Sequence, residues 1–67
     1  MQKAAIVGNR IHCGDRSYRM DSVMGLTLSE HCLSLSMCDG SVLSVESDPV
    51  AFFSIGDRCP WVDKVLC

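Results

Sequence analysis

The sequence has few of the residues and runs that commonly reveal a function. Only four of its 67 residues are aromatic, and its six basic and eight acidic residues give a formal net charge of −2. Because the basic residues are scattered along the chain, we do not expect a cationic surface for nucleic acid. No segment approaches the roughly 18 apolar residues of a membrane helix. The first apolar stretch also ends too soon for a signal peptide, so a cytoplasmic location without membrane contact is expected.

Motifs that would identify an enzyme are missing as well. The sequence contains no nucleophile elbow, no phosphate-binding or dinucleotide-binding glycine loop and no zinc-protease motif. His12-Cys13 and His31-Cys32 are adjacent pairs, but neighbours on a strand point to opposite faces and are badly placed for proton transfer. We therefore expect a protein that is not an enzyme and needs no cofactor.

The five cysteines suggest free thiols rather than disulfides. They are Cys13, Cys32, Cys38, Cys59 and Cys67. An odd number cannot pair completely within one chain, and in a reducing cytoplasm cysteine serves as a small apolar residue. Structural zinc sites usually include two cysteines separated by two to four residues, and no such pair is present, so no metal site is predicted. The alternative is a zinc- or thiol-dependent sensor that uses His12, Cys13, His31, Cys32 and Cys38.

Apolar and polar residues alternate through most of the chain, which is typical of strands. Leu33, Leu35 and Met37 alternate with serines, and the alternation resumes after Asp39-Gly40. The pattern predicts strands at roughly 3–7, 10–13, 16–20, 23–29, 32–38 and 41–46. We expect one small domain over residues 1–67, mainly β, with an antiparallel meander of about six short strands that forms a small barrel or a strongly curved sheet.

The phase of the alternation predicts the register of the clearest hairpin. A three-residue loop at 38–40 pairs Leu35 with Leu43 and Leu33 with Val45, which keeps one face apolar. This loop is a type I turn followed by a glycine in the left-handed region. A two-residue turn would mix polar and apolar side chains on each face.

The same test applies to the preceding hairpins. A turn centred on Glu30 and His31, or a wider four-residue loop of the same parity, pairs Leu28 with Leu33. The same turn pairs Leu26 with Leu35. Turns at Gly8-Asn9, Gly14-Asp15 and 21–23 predict three further pairs, which are Ile6 with Ile11, Ile11 with Tyr18, and Met20 with Met24.

A short helix is predicted after the last hairpin. Asp48 is a good N-cap, Pro49 suits the first helical position, and Gly56 can end the helix after about two turns. In the tail, Pro60 could open another helical turn, but the valine-rich alternation between Trp61 and Leu66 favours a closing strand.

The predicted core is small for the fold. The inward-facing residues are expected to be Ile6, Ile11, Tyr18, Met20, Met24, Leu26, Leu28, Leu33, Leu35, Met37, Leu43, Val45, Phe52, Ile55 and Trp61. A chain of this length gains only about 3–5 kcal/mol net from its own core. An open sheet also leaves two unpaired edges, so barrel closure or self-association is expected.

The outward face predicted for the central strands is poor in charge. Its members are Thr27, Ser29, Cys32, Ser34, Ser36, Cys38, Val42 and Ser44. Solvated sheet faces usually carry longer and charged side chains, whereas the centres of interfaces are depleted in charge. This pattern predicts a surface for a dimer or another protein. An ordinary serine-rich solvent face and a face packed under the tail are the alternatives.

We therefore expect a small protein-interaction module that acts as an inhibitor, adaptor or assembly factor and forms a homodimer. The size class, rather than any residue, suggests a protein encoded by a phage or another mobile element. Besides the sensor, the remaining alternative is a small nucleic-acid-binding barrel that uses Tyr18, Arg16, Arg19 and Trp61.

Overall fold

A computed structural model describes residues 2–67. Within this range the chain forms seven strands and one α-helix. The strands are β1 (Ala4–Val7), β2 (Arg10–Cys13), β3 (Arg16–Arg19), β4 (Val23–Leu28), β5 (Cys32–Met37), β6 (Val42–Glu46) and β7 (Asp63–Leu66), and the helix is α1 (Pro49–Arg58). A short 3₁₀ turn at Met20–Ser22 lies between β3 and β4. The predicted mainly β class is confirmed, as are the helix after the sixth strand and the strand in the tail.

The arrangement of the strands differs from the predicted meander. β1, β2 and β3 form one antiparallel sheet, and the second sheet has the order β6-β5-β4-β7 with β7 parallel to β4. The 3₁₀ turn redirects the chain after β3, so β3 and β4 lie in different sheets. α1 then carries the chain across the second sheet to its far edge. The two sheets do not close into a barrel.

The hairpin registers agree with the alternation. Leu35 pairs with Leu43, and Leu33 pairs with both Leu28 and Val45. In the loop at 38–40, Gly40 has φ of 94°, and its N–H donates to the Met37 carbonyl at 3.1 Å. This is the left-handed glycine that the three-residue loop requires. The other predicted pairs, Leu26 with Leu35, Ile6 with Ile11 and Ile11 with Tyr18, are also present.

The core lies between the two sheets and the helix, because α1 packs against β4 and β1. Its buried members are Ile11, Cys13, Met20, Val23, Leu26, Leu28, Leu33, Leu35, Met37, Val45, Ala51, Phe52, Ile55, Cys59 and Val62. Ile6, Tyr18 and Leu43 are half-buried against this cluster. The Gln2 carbonyl accepts a hydrogen bond from the Glu46 N–H at 2.7 Å, which joins the chain before β1 to the edge strand β6.

Two residues predicted for the core lie at the surface, and the prediction that Met20 pairs with Met24 is wrong. Met24 is 47% exposed because it is the extra residue of a β-bulge between Val23 and Gly25. A bulged residue has no partner on the neighbouring strand, so Met24 does not follow the alternation of β4. Trp61 is 50% exposed, since its indole N–H donates to the Val23 carbonyl at 2.9 Å instead of entering the apolar interior.

The helix begins where predicted and ends later. The Asp48 carboxylate accepts hydrogen bonds from the N–H groups of Val50 and Ala51 at 3.0 and 3.2 Å. Gly56 does not end the helix but lies within it, buried beneath the side chain of Lys64. A Cβ at this position would lie 3.0 Å from Lys64 Cδ, so the glycine permits a close approach of β7 to α1.

We expect Leu35→Ala to unfold most of the protein. Leu35 has no exposed surface, and deleting a buried leucine side chain costs about 2–5 kcal/mol. This loss is comparable to the whole stability expected of so small a domain. Circular dichroism with urea titration checks the result. Leu66→Ala is the matched control, because Leu66 is 65% exposed and its loss should change the free energy of unfolding by less than about 0.5 kcal/mol.

Asp48→Ala should lower the free energy of unfolding by about 1 kcal/mol, because the variant loses the acceptor for two N–H groups at the start of α1. Asp57→Ala removes a carboxylate from the last turn of the same helix, where its charge opposes the helix dipole. That control should be neutral or slightly stabilising. Equal losses in the two variants, measured by urea denaturation, would contradict a capping role for Asp48.

Candidate interaction surface

One face of the four-stranded sheet is occupied by the core, and the residues on the other face, which we call the open face, are all exposed or half-buried. The register places its side chains in rows across the strands. The rows are Val42, Ser36, Gly25 and Asp63; Ser44, Ser34, Thr27 and Val65; and Glu46 with Cys32.

Charge on the open face is confined to its two edge strands. Glu46 lies on β6 and Asp63 on β7, at diagonally opposite corners of the sheet. At the paired positions of the central strands the face carries only glycine, threonine, cysteine and serine. Met24, exposed at the bulge of β4, lies outside these pairs and is also uncharged. Such short side chains leave a flat surface, and Gly25 keeps it flat where the sheet is irregular. A second surface could therefore approach this sheet closely without burying a charge at its centre.

Six of the eight residues predicted for this face lie on it. They are Thr27, Cys32, Ser34, Ser36, Val42 and Ser44. Ser29 instead stabilises the turn between β4 and β5, where its hydroxyl accepts from the Cys32 N–H at 3.2 Å and its carbonyl accepts from the Ser47 hydroxyl at 2.6 Å. Cys38 lies beyond the strand end, in the hairpin loop, and its N–H donates to the Ser22 carbonyl at 2.7 Å.

Besides Glu46 at the end of β6, the open face contains three residues that sequence reasoning missed, namely Gly25, Asp63 and Val65. Asp63 and Val65 enter it because β7 pairs in parallel with β4. The alternation of apolar and polar residues between Trp61 and Leu66 indicated a strand, but it did not indicate which strand would pair with it. Gly25 shares the parity of Thr27, but without a side chain it gave no polar or apolar signal in the alternation.

The residues of the sensor hypothesis are dispersed. Cys13 faces the core, whereas His12 lies on the other side of the same strand, and His31 is exposed in a turn beside Glu30. Cys32 Sγ lies 3.8 Å from the hydroxyl oxygens of Ser29 and Ser34. In the part of the chain from residue 2 onward, no three His, Cys, Asp or Glu side chains are grouped to hold a metal ion.

The residues of the nucleic-acid hypothesis are divided between two places. Arg16 and Tyr18 share one side of β3, where Tyr18 is half-buried against the core and its hydroxyl raises the pKa of Arg16. Arg19 and Trp61 line a cavity at the end of the three-stranded sheet. The four side chains do not form one continuous stacking surface.

Comparison with known proteins found no matching family model, no matching curated protein and no matching solved structure. Among the described residues, no helix is long and apolar enough to span a membrane.

The five thiols should differ in reactivity. Burial raises the pKa of Cys13 and of Cys59, and the Cys59 thiol also donates to the Met20 carbonyl at 3.5 Å. A raised pKa leaves less of the reactive thiolate near neutral pH. Cys38 and Cys67 are exposed. A disulfide reagent should modify these two rapidly and the two buried thiols only after unfolding.

The double substitution Cys38→Ser and Cys67→Ser should remove the fast phase of that reaction and leave the slow phase unchanged. Mass spectrometry after a short exposure to the reagent identifies the labelled residues. Equal labelling rates at all five cysteines would contradict the burial described for Cys13 and Cys59.

Proposed function

We propose that the protein is a small, non-enzymatic protein-interaction module that acts through the open face, and that it uses this face first to bind a second copy of itself. The observation that carries the proposal is the absence of charge from the central strands of the face within residues 2–67. A solvated sheet face of this width would normally carry long charged side chains.

The uncharged centre of the open face favours an identical partner. A second copy always brings the same charges, so a surface rich in one sign would repel itself. In a two-fold arrangement the uncharged centres can meet, while Glu46 and Asp63 stay at the rim. The hydroxyl groups of Thr27, Ser34 and Ser44 both donate and accept hydrogen bonds, so a row of them is chemically complementary to its own copy.

The size of the face predicts a weak dimer. Four strands about 4.8 Å apart and about 17 Å long cover roughly 300 Å². A standard protein interface buries roughly 800 Å² on each partner. We therefore propose that the homodimer exchanges with the monomer and that a target protein can replace the second copy. This is the behaviour of an inhibitor, adaptor or assembly factor, which must leave its own copy to engage its target.

The double substitution Ser34→Glu and Ser36→Glu tests this proposal. It introduces like charges that would meet across the two-fold axis, so the dimer should dissociate while the fold is retained. Sedimentation equilibrium over a range of concentrations measures association, and circular dichroism measures folding. Light scattering that gives the monomer mass of 7.3 kDa at every concentration of the native protein would overturn the homodimer.

A matched pair of single variants distinguishes the effect of a charge on the open face from the effect of a charge added elsewhere on the protein. Ser36 on the open face and Ser17 on the three-stranded sheet are both exposed serines in strands. Ser36→Glu should weaken association, and Ser17→Glu should leave it unchanged. If both variants weaken it equally, the open face is not the contact surface. Unfolding of the double variant would mean that Ser34 and Ser36 do not point outward.

A further inference from the structure

Three arginines converge on a cavity formed by elements other than those of the open face. The cavity has a volume of about 480 Å³ and is lined by Asn9, Arg10, Arg19, Asp21, Arg58 and Trp61, among others. Its walls come from β2, β3, the 3₁₀ turn and the segment around the end of α1. Sites for small ligands usually have volumes of about 300–1,000 Å³.

The cavity concentrates positive charge in an acidic protein. Half of the six basic residues of the chain line it, although the net charge is −2. Its one lining carboxylate, Asp21, forms an ion pair with Arg19 at 3.0 Å. Arg10 and Arg19 are directly paired across β2 and β3, and like charges in this position are destabilising. Asp21 offsets part of this repulsion, and a bound anion would offset it further.

The arginine side chains are held by neutral or charged partners but keep free donors. Arg10 donates to the Ser17 hydroxyl and Arg58 to the Asn9 side-chain oxygen, each at 3.4 Å. A guanidinium group has five N–H donors, so these contacts orient the groups and leave several N–H bonds for a ligand. Planar guanidinium groups match the oxygens of a phosphate group.

Trp61 adds a planar apolar surface to the same cavity. The hydrogen bond from its indole N–H to the Val23 carbonyl fixes one edge of the ring, while half of its surface stays exposed. The segment is anchored further by Cys59, which is buried beside Met20. An aromatic ring held in place at the wall of a cavity can stack on another ring at little entropic cost.

We propose that this cavity binds a nucleoside monophosphate, with the phosphate on the arginines and the base stacked on Trp61. The ligand class combines the two chemistries that the cavity offers, an anion site and a ring site. A long nucleic-acid strand fits less well, because it would also meet the negative charge of the rest of the protein. The site is independent of the open face, so its failure would leave the proposed interaction function intact.

Titration with AMP tests the proposal on the full chain. Trp61 is the only tryptophan, so its fluorescence reports directly on the cavity. AMP should quench it in a saturable way, and calorimetry should give an affinity at least about ten-fold higher than for adenosine or inorganic phosphate alone, because each lacks one of the two contacts. The affinity should fall as salt is added.

Charge-removing variants locate the site. Arg19→Gln and Arg58→Gln should each weaken AMP binding by about ten-fold or more, since each removes a charge-assisted hydrogen bond. Arg16→Gln is the matched control, because Arg16 is an exposed arginine of β3 outside the cavity. It should bind AMP as the native protein does. Thermal melts of all three confirm that the fold is retained.

Three results would overturn the proposal. The first is no response to AMP at millimolar concentration. The second is an affinity for AMP no higher than for inorganic phosphate, which would indicate an anion site without a ring contact. The third is far tighter binding of a short single-stranded oligonucleotide than of AMP, with an affinity that Arg16→Gln lowers as much as Arg19→Gln and Arg58→Gln do. That result would indicate a general electrostatic surface.

Discussion

The rest of the structure depends on the burial of the leucines of β4 and β5 in the core. Leu26, Leu28, Leu33 and Leu35 point to one side of the sheet and are almost completely buried. Because side chains alternate along a strand, this arrangement sends the intervening threonine and serines to the opposite side. The core and the open face are therefore two results of one alternation, and a change in register would exchange them.

Local pairing could be predicted from the sequence because it depends on neighbouring residues. The three-residue loop at 38–40 followed from parity and a glycine, and the helix start followed from Asp48 and Pro49. The division into two sheets could not be predicted, since it depends on the 3₁₀ turn and on hydrogen bonds such as that from the Met20 N–H to the Asn9 carbonyl. The bulge at Met24 could not be predicted either, because an extra residue leaves no distinct signal in the alternation.

The two candidate sites differ in the same way. Most of the open face comes from consecutive hairpins and was visible in the sequence. The cavity unites Arg10 and Arg19 with Arg58 and Trp61, which are far apart along the chain. Tertiary packing alone brings them together, and scattered arginines in an acidic sequence predict no such cluster. Trp61 was expected in the core because of its size, but its N–H group needed a polar partner.

The parallel pairing of β7 with β4 gives the second sheet an edge of a particular kind. All four residues of β7 are exposed, although Val62 just before it is buried and anchors the segment. The strand is therefore held to the sheet by its backbone hydrogen bonds to β4 and by the anchor at Val62, not by burial of its own side chains. The width of the open face on this side accordingly depends on main-chain pairing, since Asp63 and Val65 belong to the face only through that pairing.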